Sequence, residues 1–135
     1  MKNIFLTAAC CILSSLLFAQ PKQHKIVFDF TKADTASFSI MVRHAKNIMT
    51  LTGNAQLEVV CHGPGLDLLL KDKSTVQKEI AELTGQYNVV FAACEATMKR
   101  RGIEKSQLLP QATTVPAAIL EMSTRQQEGW TYIKE

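Results

Sequence analysis

Short apolar runs alternate along this chain with segments whose apolar residues recur every three or four positions, and this alternation restricts the possible fold. The runs at residues 24–30, 57–61 and 87–93 are rich in β-branched and aromatic residues, which is typical of buried strands. Between the first two runs, one helical stripe is formed by Phe38, Met41, Val42, Ala45, Ile48 and Met49. Such alternation predicts an α/β fold with a mostly parallel sheet between helices. Weaker candidates at residues 113–115 and 132–133 bring the sheet to about five strands.

Local signals predict where the helices begin and end. Asp34 is a suitable N-cap for the first helix, which we expect to end near Gly53. The second helix is expected to stop at Gly85, and a third to cover residues 95–101. Pro116 suits the first position of the last helix, because its ring fixes a helical φ. The predicted inward residues of that helix are Ala117, Leu120 and Thr124.

Composition places the chain among ordinary globular proteins and argues against a nucleic-acid partner. The 135 residues are 47% hydrophobic and 20% charged, which suits one folded domain. The formal net charge is +3, and the basic residues are scattered except at residues 99–101. Nucleic-acid surfaces usually carry a longer basic stripe.

The N-terminus has the pattern of a secretory signal peptide. Lys2 precedes an apolar stretch over residues 4–18, and residues 17–19 offer a cleavage site. The stretch is shorter than the roughly 20 apolar residues that span a bilayer, so we expect no stable membrane anchor. These features predict a cleaved leader at residues 1–19, a single domain at residues 20–135, and a periplasmic or secreted protein.

Removal of the leader would take away Cys10 and Cys11 and leave Cys61 and Cys94. Cys94 directly follows the third strand, at the edge where open α/β sheets place their ligands. The basic residues 99–101 and the N-terminus of the following helix would favour its thiolate, which is the nucleophilic form. A reactive thiol and a buried structural cysteine are both compatible with the pattern.

Cys61 also ends a predicted strand. If that strand neighbours the strand of Cys94, the two Cα atoms could approach within the roughly 4.4–6.8 Å that a disulfide needs. Cys61 would then be a resolving thiol in a reversible bridge. Alternatively, it fills the core like an alanine.

The segment after Cys61 is a histidine followed by a glycine-rich break. His62 could donate to a bound sulfur species, raise a partner's basicity, or hydrogen-bond the turn. The glycines at Gly63 and Gly65 lack the spacing and lysine of a phosphate-binding loop. We expect them to let the backbone pass close to another group.

Several motifs resemble the DsrE/DsrF-like family of small sulfur-relay proteins, also described as the DsrEFH/TusBCD type. The matching segments are residues 59–69, 97–98, 101–103, 108–110 and 126–132, in addition to the opening strand and the strand that ends at Cys94. The resemblance implies a three-layer α/β/α domain that assembles into trimers or hexamers. It also implies transfer of persulfide sulfur between donor and acceptor proteins.

In family members that carry sulfur, a cysteine just after a central strand bears the persulfide, and Cys94 matches that position. Gly63, Gly65, Thr97 and Arg101 lie in the matching motifs and are candidate substrate-binding residues. The leader departs from the better-known members, which are cytoplasmic. Some members lack the cysteine, so membership implies the fold more directly than the activity.

Three functional hypotheses follow. The first is an exported persulfide carrier that needs no cofactor and is at most a sulfurtransferase-like relay. The second is a non-catalytic, oligomeric binding module of the same fold. The third is a soft-metal binder, since Cys61, His62, Cys94 and Met98 are ligand types that suit Cu(I). Their spacing is unlike that of compact metal sites, so no metal site is predicted.

Overall fold

The computed structural model describes residues 23–135. The predicted signal peptide, together with Cys10 and Cys11, lies outside these residues. The strands are β1 (Lys25–Phe30), β2 (Gln56–Cys61), β3 (Val90–Cys94), β4 (Thr113–Val115) and β5 (Thr131–Lys134). The helices are α1 (Thr35–Thr52), α2 (Gln77–Tyr87), α3 (Glu95–Arg101) and α4 (Ala118–Gln127), with 3-10 helices at Gly63–Leu69 and Lys105–Gln107.

The five strands form one parallel sheet in the order β4-β3-β2-β1-β5. This confirms the predicted α/β class, and both weak strand candidates are present as edge strands. Phe30 pairs with Cys61, and Cys61 pairs with Ala93. The carboxyl ends of the three central strands are therefore level at one edge of the sheet.

Successive residues of each strand point to opposite faces, and each face has its own apolar cluster. On the first face, Phe28, Cys61 and Phe91 pack with buried residues of α1 and α2. On the second face, the cluster consists of Val27, Val60, Cys94, Ala118 and Met122, the last two from α4. The domain is thus the expected three-layer sandwich, and α4 crosses the second face between the two edge strands.

The first helix has the predicted ends. The Asp34 carboxylate accepts a hydrogen bond from the Ser37 N–H at 2.8 Å, and Gly53 closes the helix with a φ of +69°. A capping carboxylate of this kind stabilises a helix by about 1 kcal/mol.

The end predicted for the second helix at Gly85 is wrong. The helix continues to Tyr87 and ends at Asn88, which adopts the left-handed conformation with a φ of 56°. A glycine inside a helix costs only about 1 kcal/mol, and asparagine tolerates this conformation well. The following strand therefore begins at Val90 rather than at residue 87.

The last helix begins two residues later than predicted. Pro116 precedes the helix, whose N-cap is Ala117. Ala118 and Met122 face the sheet, whereas Leu120 is 63% exposed and Thr124 is also exposed. The later start turns a different stripe toward the sheet, because the inward positions recur every three or four residues from Ala118. Among residues 23–135, no helix combines the length and apolar character needed to cross a membrane.

Candidate functional site

Cys94 lies where the second face of the sheet meets the beginnings of two helices. It is the last residue of β3 and the N-cap of α3, and it is a free thiol with 4% of its surface exposed. The backbone N–H of Ala118, the first residue of α4, points at its Sγ at 3.4 Å. The thiol is thus surrounded by backbone donors from both helices.

The pKa of Cys94 is lowered from its ordinary value. Burial by itself raises that pKa, but the hydroxyl and N–H of Thr97 and the N–H groups of Ala118 and Ala96 outweigh it. Thr97 Oγ1 accepts the Gly63 N–H at 3.2 Å and Arg100 Nη2 at 3.3 Å. Because both contacts donate to the oxygen, the hydroxyl hydrogen is left for the sulfur.

The sequence predicted two causes, the positive charge of residues 99–101 and the N-terminus of α3, and the N–H groups of Ala96 and Thr97 belong to the second. Lys99 and Arg100 do not act on the thiol directly, and both are exposed. Arg100 reaches the site through its hydrogen bond to Thr97. The groups that lower the pKa are hydrogen-bond donors, and the buried thiolate accepts their hydrogen bonds.

A surface cavity of about 170 Å³ gives access to Cys94. Besides Cys94, it is lined by His62, Ala96, Thr97, Arg100, Ala117, Ala118 and Ile119. Liquid water occupies about 30 Å³ per molecule, so the cavity holds a few atoms of a small group or of an inserted chain end. Ile119 stands at this cavity with 77% of its surface exposed.

Cys61 does not lie at the Cys94 site. It is fully buried in the cluster on the first face, whereas Cys94 belongs to the cluster on the second face. Cys61 pairs in register with Ala93, the residue before Cys94. Because successive side chains of a strand point to opposite faces, the two thiols lie on opposite faces of the sheet. Burial raises the pKa of Cys61, which suits a core residue. Both cysteines are free, and this arrangement gives the resolving-thiol hypothesis no support.

The His62 ring contacts the carboxylate of Asp29 and does not hydrogen-bond the glycine turn. Its Nε2 lies 2.7 Å from Asp29 Oδ1. Asp29 is 5% exposed, and its Oδ2 accepts hydrogen bonds from Tyr132 at 2.6 Å and Lys134 at 2.9 Å. Burial raises the pKa of Asp29, but these three hydrogen bonds together lower it below the ordinary value.

Asp29 was absent from the sequence-based candidates, although one signal was available. It is a charged residue inside an otherwise apolar run, at residues 26–30. A buried carboxylate must find partners, so a lone acid in such a run marks a polar cluster on one face of the sheet.

The glycine loop has the close approach that the sequence predicted. A Cβ on Gly65 would lie within 3.0 Å of the backbone of Phe30 and Thr31. Gly63 has a φ of +53°, and its N–H is the donor to Thr97. The loop therefore passes over the end of β1 and reaches the Cys94 site.

Arg101 connects that loop to α3. Its Nη1 donates to the Gly63 carbonyl at 2.9 Å, and its Nη2 donates to Asp67 at 2.5 Å. The arginine that lines the cavity is Arg100. Of the four candidate substrate-binding residues, Thr97 lines the cavity beside Cys94, whereas Gly63 and Arg101 support it and Gly65 positions the loop.

The four soft-ligand candidates are divided between two clusters. Cys61 and Met98 pack in the first cluster, while His62 and Cys94 line the cavity on the second face. Within residues 23–135, no three His, Cys, Asp or Glu side chains are grouped as a metal site would require.

A larger cavity, of about 530 Å³, lies at the amino ends of the central strands. Trp130 lines it, with the Arg125 guanidinium 4.9 Å from the ring centre. Arg125 also contacts the buried carboxylate of Glu58 at 2.5 Å. The charged residue that lines this cavity, Arg125, is thus paired with a buried carboxylate, and neither cysteine lines the cavity.

The model of the DsrE/DsrF-like family matches residues 24–134, which is nearly all of the described chain. The chain belongs to the DsrE/DsrF-like family. Its fold is also that of several solved structures. The protein of unknown function MTH1491 from Methanobacterium thermoautotrophicum is 29% identical with a TM-score of 0.78, over 84% of this chain and 100% of that one.

Two further solved structures share the fold of this DsrE/DsrF-like chain at lower identity. The protein of unknown function BT1422 from Bacteroides thetaiotaomicron is 19% identical with a TM-score of 0.67, over 82% of this chain and 94% of that one. The ychN protein from E. coli is 16% identical with a TM-score of 0.69, over 84% of this chain and 100% of that one. No curated protein matches the chain.

Proposed function

We propose that this DsrE/DsrF-like protein is a sulfur carrier that holds a persulfide on Cys94 and exchanges it with donor and acceptor proteins. One observation supports the proposal above the others. Cys94 is a thiol of lowered pKa, held by donors from two helix starts, and it lines a cavity that opens to the surface. A buried structural cysteine needs neither the donors nor the cavity.

The transfer step balances without a cofactor or a net redox change. The Cys94 thiolate attacks the outer sulfur of a donor persulfide, R–S–SH, and forms Cys94–S–SH. The S–S bond of the donor breaks, and the donor leaves as a thiolate that takes up a proton. Delivery is the same exchange, with an acceptor thiolate attacking the outer sulfur on Cys94.

The site groups have distinct parts in this chemistry. The Thr97 hydroxyl and the surrounding N–H groups stabilise the attacking thiolate, and they stabilise it again when it leaves during delivery. The outer sulfur of the persulfide would occupy the cavity, where Arg100 offers a positive charge. The cavity volume suits a terminal sulfur with part of the donor chain.

The mass of the protein after exposure to glutathione persulfide tests the proposal. We expect a gain of one sulfur atom that a reductant reverses, in the natural protein and in the control Cys61→Ala. Cys94→Ser should show no gain. If Cys94 gains no sulfur in the folded, reduced protein, then the alternative of a non-catalytic binding module replaces the carrier.

We further propose that the protein is exported, with residues 1–19 removed as a leader. The charged start, the apolar stretch and the small residue before position 20 support this. The N-terminal sequence of the protein from a periplasmic or secreted fraction tests it. A mature chain that begins at Met1 in the cytoplasm would refute export.

The exposed apolar residues of α4 favour self-association of the protein. Ile119 and Leu120 are 77% and 63% exposed on α4, and Ile119 also lines the Cys94 cavity. Neighbouring exposed apolar side chains beside a site are typical of a contact surface. They support the family expectation of a trimer or hexamer, which sedimentation of the purified protein would test.

A further inference from the structure

We propose that His62 is the proton donor and acceptor for sulfur exchange at Cys94, and that Asp29 is its positioning residue. The proposal rests on the carrier function of Cys94 and adds the group that handles the proton of the leaving thiol.

The three residues share one face and one edge of the sheet. Asp29 follows Val27 by two positions, and His62 follows Val60 by two, so both continue the alternation of the second face. Cys94 belongs to the same face. Their strands are adjacent in the order β3-β2-β1, which places His62 between Cys94 and Asp29.

The carboxylate of Asp29 determines which nitrogen of His62 exchanges a proton. An ionised carboxylate only accepts hydrogen bonds, so the Nε2 that lies 2.7 Å from Oδ1 carries its hydrogen in both charge states of the ring. Nδ1 is then the nitrogen that gains and loses a proton. His62 lines the same cavity as Cys94, and no residue in 23–135 hydrogen-bonds to its Nδ1.

The other partners of Asp29 keep it ionised and in place. Tyr132 and Lys134 bond only Oδ2, which leaves Oδ1 to His62. The carboxylate is nearly buried, yet its pKa is lowered by these contacts. The carboxylate therefore stays charged at neutral pH and orients the imidazole, as in other sites where a base is held by a buried acid.

The charged groups around His62 come from several elements. Asp29 on β1 contacts the ring, and Lys134 on β5 contacts the other oxygen of Asp29. Arg100 on α3 lines the same cavity and carries a positive charge. The residues of the α4 segment at the cavity, Ala117, Ala118 and Ile119, have no titratable side chain.

The proton balance of the exchange is then complete. Cys94–S⁻ attacks the outer sulfur of R–S–SH, the S–S bond breaks, and the proton on Nδ1 of the imidazolium moves to R–S⁻. The products are Cys94–S–SH, R–SH and neutral His62. During delivery, His62 takes the proton from the acceptor thiol and is ready for the next transfer.

Single-turnover sulfur transfer from glutathione persulfide tests this pair across pH 5 to 9. We expect Asp29→Asn and His62→Gln each to slow transfer about 10- to 100-fold, and His62→Gln to lose the limb of the pH profile that is due to histidine. Tyr132→Phe is the matched control, because it removes a different partner of Asp29 and should keep the limb. Added imidazole should restore part of the rate in His62→Gln.

Unchanged rates and pH profiles in Asp29→Asn and His62→Gln would overturn the proposal while leaving the carrier function intact. Absence of any sulfur on Cys94 in the natural protein would instead overturn the carrier function. Nitrogen-15 NMR of the natural protein tests the pair without a variant. In the neutral form of His62 the hydrogen is expected on Nε2, and a neutral ring with its hydrogen on Nδ1 would refute the assignment.

Discussion

Cys61 and Cys94 end neighbouring parallel strands, yet their thiols point to opposite faces of the sheet. Cys61 pairs in register with Ala93, so Cys94 is one residue further along and on the other side of the pleat. The first thiol is sealed in the larger core, and the second lines a cavity with hydrogen-bond donors around it. Reactivity is therefore expected from one cysteine only.

Alkylation should distinguish the two thiols. We expect iodoacetamide at neutral pH to modify Cys94 in the folded protein and Cys61 only after unfolding, since burial excludes the reagent and disfavours the thiolate of Cys61. Peptide mass mapping before and after addition of guanidinium measures the difference. Equal modification of both thiols in the native protein would contradict the assignment of faces.

Thr97 should control the acidity of Cys94. Replacement of Thr97 by valine keeps the shape and removes the hydroxyl, so we expect the pKa of Cys94 to rise and less thiolate to be present at neutral pH. Thr97→Ser is the control that keeps the hydroxyl. Ultraviolet absorbance of the thiolate during a pH titration measures the pKa of Cys94. An unchanged pKa in Thr97→Val would show that the Thr97 hydroxyl does not lower it.

Acid should remove the stabilisation that comes from Asp29. Its pKa in the folded protein is lowered, so its contribution is complete above the ordinary carboxyl pKa and is lost as the pH falls through the folded value. At pH 7, Asp29→Asn should reduce the free energy of unfolding by about 1–3 kcal/mol. The difference between the two proteins should shrink toward pH 2 in urea unfolding experiments; a constant difference would refute this.

Gly65 and Gly85 should respond to alanine in opposite directions. A Cβ at Gly65 meets backbone atoms of β1, and we expect Gly65→Ala to destabilise the fold by about 1–3 kcal/mol. Gly85 lies inside α2 with open space around it, so Gly85→Ala should stabilise by about 0.5–1 kcal/mol. Thermal unfolding of both variants shows whether each substitution stabilises or destabilises the fold.

The exposed apolar residues of α4 should support self-association. We expect the Ile119→Glu and Leu120→Glu variants to sediment as smaller species than the natural protein while keeping its helical content. Leu51→Glu is the control, because Leu51 is 85% exposed on α1, away from the Cys94 cavity. The same sedimentation coefficient in all four proteins would show that this surface is not the contact.

Sequence patterns were sufficient to predict the class of fold, the family resemblance, the caps of α1 and the close backbone approach at Gly65. These features are local, since periodicity, capping chemistry and the absence of a Cβ act over a few neighbouring residues. The sequence also placed Cys94 after a central strand.

The groups that reach Cys94 from elsewhere in the chain depend on tertiary contacts. Strand register separated Cys61 from Cys94, and the start of α4 at Ala118 brought a backbone donor to the sulfur. Sheet order brought Asp29 to His62, 33 positions along the chain. Such pairings depend on register and strand order, to which residues distant in sequence contribute, so no local pattern could show them.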